Sequence, residues 1–343
     1  MKNVLVTGGL GYVGSRLTPL LLSQGYNVTV LDLALYGFDG LNAMKQSAQW
    51  NDFERRLRLV QGDLRDPQAV RTALKGCDAV IHLAAISNDP TGEVDEVLTR
   101  QVNFDAVGML IALAREAGVS RFINASSSSV FGIKNDQNID EELEPEPITS
   151  YSRTKMLGEW VVRAANGPSF TTVNIRPATI CGFSPRQRFD LTVNKLTADA
   201  VRKGVITVHG GEQRRPNVGM TDMVNLYSLL LKVDAAKIAG RTFNFGFENH
   251  RVIDLARIIQ EQVSGSQKPK IEIKNVVDNR DYHIASDRIV RELGYNPVSS
   301  IVKEVISLSE ALKDNFPDID EDKHYNMKVM RLERKNVYGF IAN

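Results

Sequence analysis

The chain has 343 residues, 43% of them hydrophobic and 24% charged, which is enough to bury a sizeable core as two domains or one large α/β unit. Its formal charge of +1, from 42 basic and 41 acidic residues, excludes a global pull on nucleic acid or an anionic membrane, so any anion site must be local. Two cysteines, Cys77 and Cys181, both in apolar settings, cannot build a disulfide framework and fit a reducing compartment.

From Met-Lys-Asn the sequence passes straight into a strand pattern with no apolar leader, and no run approaches the ~18 apolar residues of a membrane span, so a cytoplasmic protein without membrane association is expected. Short β-rich runs at 4–7, 27–31, 57–61, 79–83, 121–125 and 171–175 alternate with helix-period segments near 12–24, 67–75, 93–117 and 151–166. That order predicts an α/β fold, a Rossmann-type doubly wound parallel sheet covered on both faces. Residues 33–56 read as a loop with a short helix. Beyond 180 the composition loosens. "CGFSPRQRFD" is loop-like, 190–203 helical, and "VITVHGGEQRRPNV" a short strand followed by a turn. Further strands are expected at 242–245 and 271–274, and helices near 222–232, 252–264, 286–293 and 299–314. The expected division is a nucleotide-binding domain at 1–178, a smaller substrate lobe at 179–316 interleaved with returns to the sheet, and a tail at 317–343. On composition the tail reads as frayed, although Met327, Met330, Val337, Tyr338 and Phe340 offer apolar surface for docking.

The first strand runs into "TGGLGYVGSRL", where Gly9-Leu10-Gly11-Tyr12-Val13-Gly14 fits G-x-G-x-x-G between a strand and a helix. Glycines 8, 9 and 11 would permit positive φ and let backbone N–H groups approach a pyrophosphate. The helix N-terminus adds partial positive charge, and Gly14 would let helix and strand pack closely. Asp32, 21 residues after Gly11, stands where a carboxylate accepts from an adenosine ribose. A carboxylate there repels a 2′-phosphate, and "LALYG" after it brings no cation, so NAD is favoured over NADP. In "SYSRTK", Tyr151 and Lys155 stand four apart on one helix face. A phenol titrates near ~10, and bringing it towards ~7 needs roughly 4 kcal/mol, which an ammonium in a poorly hydrated cleft can supply. "NASSSSVFG" places four hydroxyls, Ser126 to Ser129, at a strand's carboxyl end, where open α/β sheets bind ligands.

"TGGLGYVG", Asp32, "GDLRD", "HLAA", "SSSSVFG" and "YSRTK", in this order and spacing, resemble the extended short-chain dehydrogenase/reductases, specifically the NAD-dependent epimerase/dehydratase family acting on nucleotide sugars. The resemblance covers residue 1 to about 315 and implies a homodimer. It also implies an NAD site built from Gly8, Gly11, Tyr12, Val13, Gly14, Asp32, Asp63, Leu64, Leu83, Ala84, Ala85, Tyr151 and Lys155, with Asp63 and Leu64 flanking the adenine. Ser127, Tyr151 and Lys155 would be catalytic, and the implied contacts to a nucleotide-diphosphate sugar are Ser87, Ser128, Thr179, Arg186, Arg188, Asn194, Arg215 and Arg280. Departures carry information too. Many relatives have Asn where this chain has Thr179 and His where it has Gly219. The 4,6-dehydratases follow the catalytic Ser/Thr with an Asp-Glu pair, here Ser128 and Ser129, so water elimination lacks its proton carriers. A nucleotide-sugar 4-epimerase is therefore expected, with a 4-dehydrogenase or 4-ketoreductase as the alternative within the enzyme class and a non-catalytic NAD sensor outside it. No metal is expected.

Overall fold

Val4, Leu5 and Val6 point alternately to opposite faces of the first strand, and both faces are dry. Val4 and Val6 join a core with Leu17 and Leu21, while Leu5 joins another with Leu74, Val80 and Phe122. A strand with apolar residues on both sides belongs inside a sheet covered by two helical layers, and the computed structural model places it there. The model describes residues 1–134, 138–263, 268–275 and 283–339, the last six of these by backbone alone.

The strands are β1 (Asn3–Thr7), β2 (Asn27–Asp32), β3 (Leu57–Gln61), β4 (Ala79–His82), β5 (Arg121–Ala125), β6 (Thr171–Pro177), β7 (Thr179–Cys181), β8 (Val205–His209), β9 (Arg214–Gly219), β10 (Arg241–Phe245), β11 (Glu248–Arg251) and β12 (Lys270–Lys274). Seven form a parallel sheet in the order β10-β6-β5-β4-β1-β2-β3. The chain builds outward from β1 to β3, then returns to β4 on β1's other side. That reversal opens a crevice at the carboxyl ends of β1 and β4. A three-stranded sheet, β11-β9-β7, and a parallel pair, β12-β8, make the smaller lobe. Helices Thr192–Lys203, Val252–Gln262 and Ile301–Asp314 pack there through Val193, Leu196, Leu255, Ile259, Ile301 and Val305.

Four expectations need correction. Residues 33–56 hold two helices, Asp39–Lys45 and Trp50–Arg56. The single helix expected at 93–117 is broken: Asp89–Gly92 and Glu96–Arg100 come first, then a wider π-type turn, Gln101–Asp105, then Ala106–Glu116. The stretch Glu96–Glu116 also has the length and apolar composition to cross a membrane, though 44% of that window is packed inside. "RRPNVG" is strand β9, not turn, because a lobe strand on each side pairs with it despite Pro216. Up to residue 339 the tail is folded, not frayed. Phe189, Phe316 and His324 meet edge to face with centroids 5.1–5.5 Å apart, and they anchor a helix, Asn326–Gly339, on the body. Of the docking residues named above, Met330 is 3% exposed and Met327 half-buried; the side chains of Val337 and Tyr338, and all of Phe340, lie outside the described residues.

Candidate active site

One cleft of about 450 Å³ lies over the carboxyl edge of the large sheet. Every residue expected to hold the dinucleotide lines it, from Gly8, Gly11, Tyr12, Val13 and Gly14 through Asp32, Asp63 and Leu64 to Leu83, Ala84 and Ala85. Of the loop glycines only Gly8 has positive φ, at +72°, and a Cβ there would stand 2.7 Å from the Ala84 nitrogen on the opposing strand end. Gly9 is instead required by contact with the Val30 side chain, and Gly14 by the loop itself, since its Cβ would fall 2.3 Å from the Gly8 oxygen. The glycines thus serve close backbone packing more than unusual φ. Asp32 accepts from the Leu10 and Ala34 N–H groups at 2.9 and 2.8 Å. Burial nonetheless raises its carboxyl above the usual range, because desolvation outweighs those two hydrogen bonds. Asp63 ends up lowered: burial raises it, but Arg65 binds it through side chain and backbone, the ion pair closing at 2.6 Å.

Thr149 begins the helix Ser150–Ala164 with a reciprocal cap, exchanging hydrogen bonds with Ser152 at 3.0 and 3.1 Å. This fixes the first turn, from which Tyr151, 9% exposed, enters the cleft. Gly92 lets the neighbouring loop approach, since a Cβ there would lie 2.8 Å from the Tyr151 Cβ. One turn on, Lys155 donates from Nζ to the Ala125 carbonyl at 2.8 Å and stands 6.0 Å from the Tyr151 ring centre. Burial holds its ammonium down to about 8, against the opposing pull of Glu159. Ser127 caps the short turn Ser128–Phe131 by accepting from the Ser129 N–H at 3.1 Å, and its hydroxyl lies 2.8 Å from that of Ser129. All four serines line the cleft. Below them Glu159 binds the Ser126 hydroxyl and a buried Arg176, the latter with Nη2 at 2.7 Å. Glu159 follows Lys155 by four residues, so its place on the same helix face was readable; its partner across the sheet was not.

The loop after β7 brings Arg186 and Arg188 to the cleft wall with Ser87, Ser128 and Thr179. Arg188 grips Asp190 with two nitrogens at 2.9 Å each and donates to the Ser87 hydroxyl at 2.9 Å. Burial holds the Arg186 guanidinium down to about 10. Asn194 is not on the wall. Fully buried, it donates to the Tyr12 hydroxyl and the Arg188 carbonyl and accepts from the Gly182 N–H, so its amide is spent inside the protein. Arg215 also stands outside the wall, near the start of β9, donating to the Arg214 carbonyl at 2.9 Å. Arg280 lies outside the described residues. Gly219 has a local reason: any Cβ there would stand 2.8 Å from the buried Glu304 carboxylate.

Sequence reasoning missed three residues that shape the cleft. Asn103, in the π-type turn, clamps Ile86 through both its N–H and its carbonyl at 2.9 Å and reaches Thr154 on the helix that carries Tyr151. Tyr36 and Asn326 join the wall from a loop and from the tail. No spacing signalled them, because each acts on a segment distant in sequence.

A family model described as NAD dependent epimerase/dehydratase matches residues 4–246. The chain belongs to that family. Sterol-4-alpha-carboxylate 3-dehydrogenase, decarboxylating, from Mus musculus is 35% identical over 209 residues, 59% of this chain and 51% of that enzyme, so the chain spans about half of it. The dTDP-D-glucose 4,6-dehydratase of Bos taurus is 25% identical over 92% of this chain and 90% of its own. The solved UDP-glucuronic acid 4-epimerase from Bacillus cereus, bound to UDP-glucuronic acid and NAD, shares the fold with a TM-score of 0.78 and 22% identity, over 91% of this chain and 99% of that one. The family's cofactor is NAD, and the residues present fit it. A Cβ on Gly11 would meet only the Gly8 oxygen, at 3.2 Å, which leaves the rest of the cradle open. Helix Gly14–Ser23 begins at that cradle, where the positive end of its dipole favours a diphosphate.

Proposed function

We propose that the protein is an NAD-dependent nucleotide-sugar 4-epimerase and a homodimer. The observation that carries the reading is the convergence of Ser127, Tyr151 and Lys155 on the cleft that also holds the glycine loop and Asp32. Bound NAD would supply a hydride acceptor and, on the return, a hydride donor. Tyr151 takes the proton from the sugar hydroxyl and gives it back; Ser127, with Ser129 beside it, holds the reacting oxygen. The Lys155 ammonium favours negative charge on the phenol oxygen and reaches the ribose side of the cofactor. Ser128 and Ser129 cannot carry the protons that elimination of water requires, which disfavours a dehydratase. A net 4-dehydrogenase is the second reading, supported by the 35% identity to an enzyme named as a dehydrogenase.

Purified protein incubated with UDP- and dTDP-sugars separates these readings: an epimerase yields the C4 epimer without accumulating reduced cofactor, and a dehydrogenase accumulates it. Tyr151→Phe keeps the ring and removes the titrating oxygen, so turnover should fall by about 10²–10⁴ while NADH affinity is retained. Wild-type turnover by that variant on a confirmed substrate would defeat the assignment.

A further inference from the structure

Arg186 and Arg188 leave one loop two residues apart and end in different electrical surroundings. Arg188 is neutralised by Asp190 at 2.9 Å and lies within electrostatic reach of Tyr151. Arg186 is 3% exposed, and among the described residues no carboxylate stands within 4.0 Å of it. The groups in contact with it are neutral, the Asn326 Oδ1 at 2.6 Å, the Lys323 carbonyl at 3.5 Å and the face of Tyr36, 3.8 Å from the ring centre, while Asp190 and Asp32 attract it only from farther off. Among the described residues its buried Nε has no hydrogen-bond partner. A buried cation with no carboxylate in contact, its farther acid Asp190 already gripped by Arg188, is costly, and on the wall of a ligand cleft that cost is offset when an anion binds. Tyr36 follows Asp32 by four residues on the loop that continues β2, so the Arg186 guanidinium sits at the adenosine half of the cleft; Arg188, with Ser87, occupies the sugar half.

Asn326 ties its side-chain amide and its backbone N–H to residues at and behind the cleft wall. Besides accepting from Arg186, it donates from Nδ2 to the Ser87 carbonyl at 3.4 Å and from its backbone N–H to Asp190 at 3.2 Å. Met330 and Glu333, four and seven residues further on, line the cleft from the same helix face. We propose that the C-terminal segment completes the cofactor site: Asn326 is a positioning residue that holds Arg186 where its guanidinium meets the diphosphate of the bound dinucleotide. This rests on the NAD reading of the cleft.

The test uses the full chain and NADH fluorescence as a direct binding readout, with the melting temperature of the cofactor-free protein measured beside it. Arg186→Ala should weaken NADH binding about 10- to 100-fold, the range for losing a charge-assisted contact. Asn326→Ala should weaken it up to about tenfold, and the double variant should be no worse than Arg186→Ala alone, because one residue acts through the other. Asn326→Asp separates positioning from packing. An internal carboxylate would satisfy the guanidinium, so this variant should melt higher than Asn326→Ala yet bind NADH no better. Unchanged NADH affinity in either single variant, whatever happens to UDP or dTDP binding, overturns the proposal. So do additive losses in the double variant, a loss confined to NADPH, or affinities that follow melting temperature across all four proteins. Failure of the wild type to bind NADH would instead remove the NAD reading itself, and this proposal with it.

Discussion

Lys155 is a residue whose burial sets the pH at which it works. Exposed lysine titrates near 10.5, and the dry pocket under β5 holds this ammonium at about 8, so it is charged below that pH and neutral above it. NADH affinity should therefore fall as pH climbs through about 8. Lys155→Arg should flatten the fall, because a guanidinium stays charged; a wild-type affinity constant from pH 7 to 10 would contradict the assignment. Stability runs the other way. Between about 8 and 10.5 the unfolded chain still binds the proton that the folded chain has released, so this group makes folding more favourable as pH rises through that window. The protein should become firmer as it loses cofactor. Ser127 contributes differently: as the cap of a short turn it is held rigid before any substrate arrives.

Two helices carry the prediction at the scale of elements. Trp160, on the outer face of Ser150–Ala164, is 50% exposed, and Val97, on Glu96–Arg100, is 67% exposed. Large apolar side chains left in water on adjacent helices suit an isologous contact with a second copy. Light scattering should give twice the 38.1 kDa chain mass, and Trp160→Glu should halve it; a wild-type mass of one chain at micromolar concentration would refute the dimer. How far such elements could be read in advance depended on what holds each one. The six first strands and the helix bearing Tyr151 were legible because the strands' own short apolar runs and the helix's own residue spacing specify them. Strand β9 was not, since Arg214, Arg215 and Pro216 carry no such period and only pairing with β7 and β11 makes them extended. The same holds in the site. Tyr151, Lys155 and Ser127 announce themselves by spacing, whereas Asn103 and Asn326 matter through partners 17 and 140 residues away. Asn194 shows the converse: it falls at a plausible position in sequence, but the fold turns its amide inward.

For the molecule as a whole, His82 ties acid stability to the crevice. It is 1% exposed at the end of β4, with Nδ1 2.7 Å from the Thr7 hydroxyl at the end of β1, and burial pushes its imidazole down to about 3, with the Lys155 charge adding to the effect. The folded state keeps it neutral while the unfolded chain takes up a proton below about 6.5, so stability is full above that pH and declines as pH falls towards 3. His324, buried among the aromatic residues that anchor the tail, is shifted in the same direction. At pH 5 His82 alone should cost about 2 kcal/mol relative to pH 7. Urea titrations at the two pH values measure it, and His82→Gln should reduce the difference; an identical pH dependence in that variant would place the sensitivity elsewhere.

The wider turn at Gln101–Asp105 spends one residue more than a regular helix would over the same span, and this makes chain length itself the specified quantity. Removing one residue of the five would let a regular helix cover that span with its downstream turns where they are, whereas a deletion in the regular helix beyond it would rotate everything after by about 100°. With the residue lost from the turn, Leu110 and Ala114 would keep their places in the core, and the loss would fall on the turn that carries Asn103 to Ile86. Exposed Gln101 and Asp105 can therefore change identity cheaply, while a single-codon deletion beside them would remove the turn from which Asn103 holds Ile86 at the cleft.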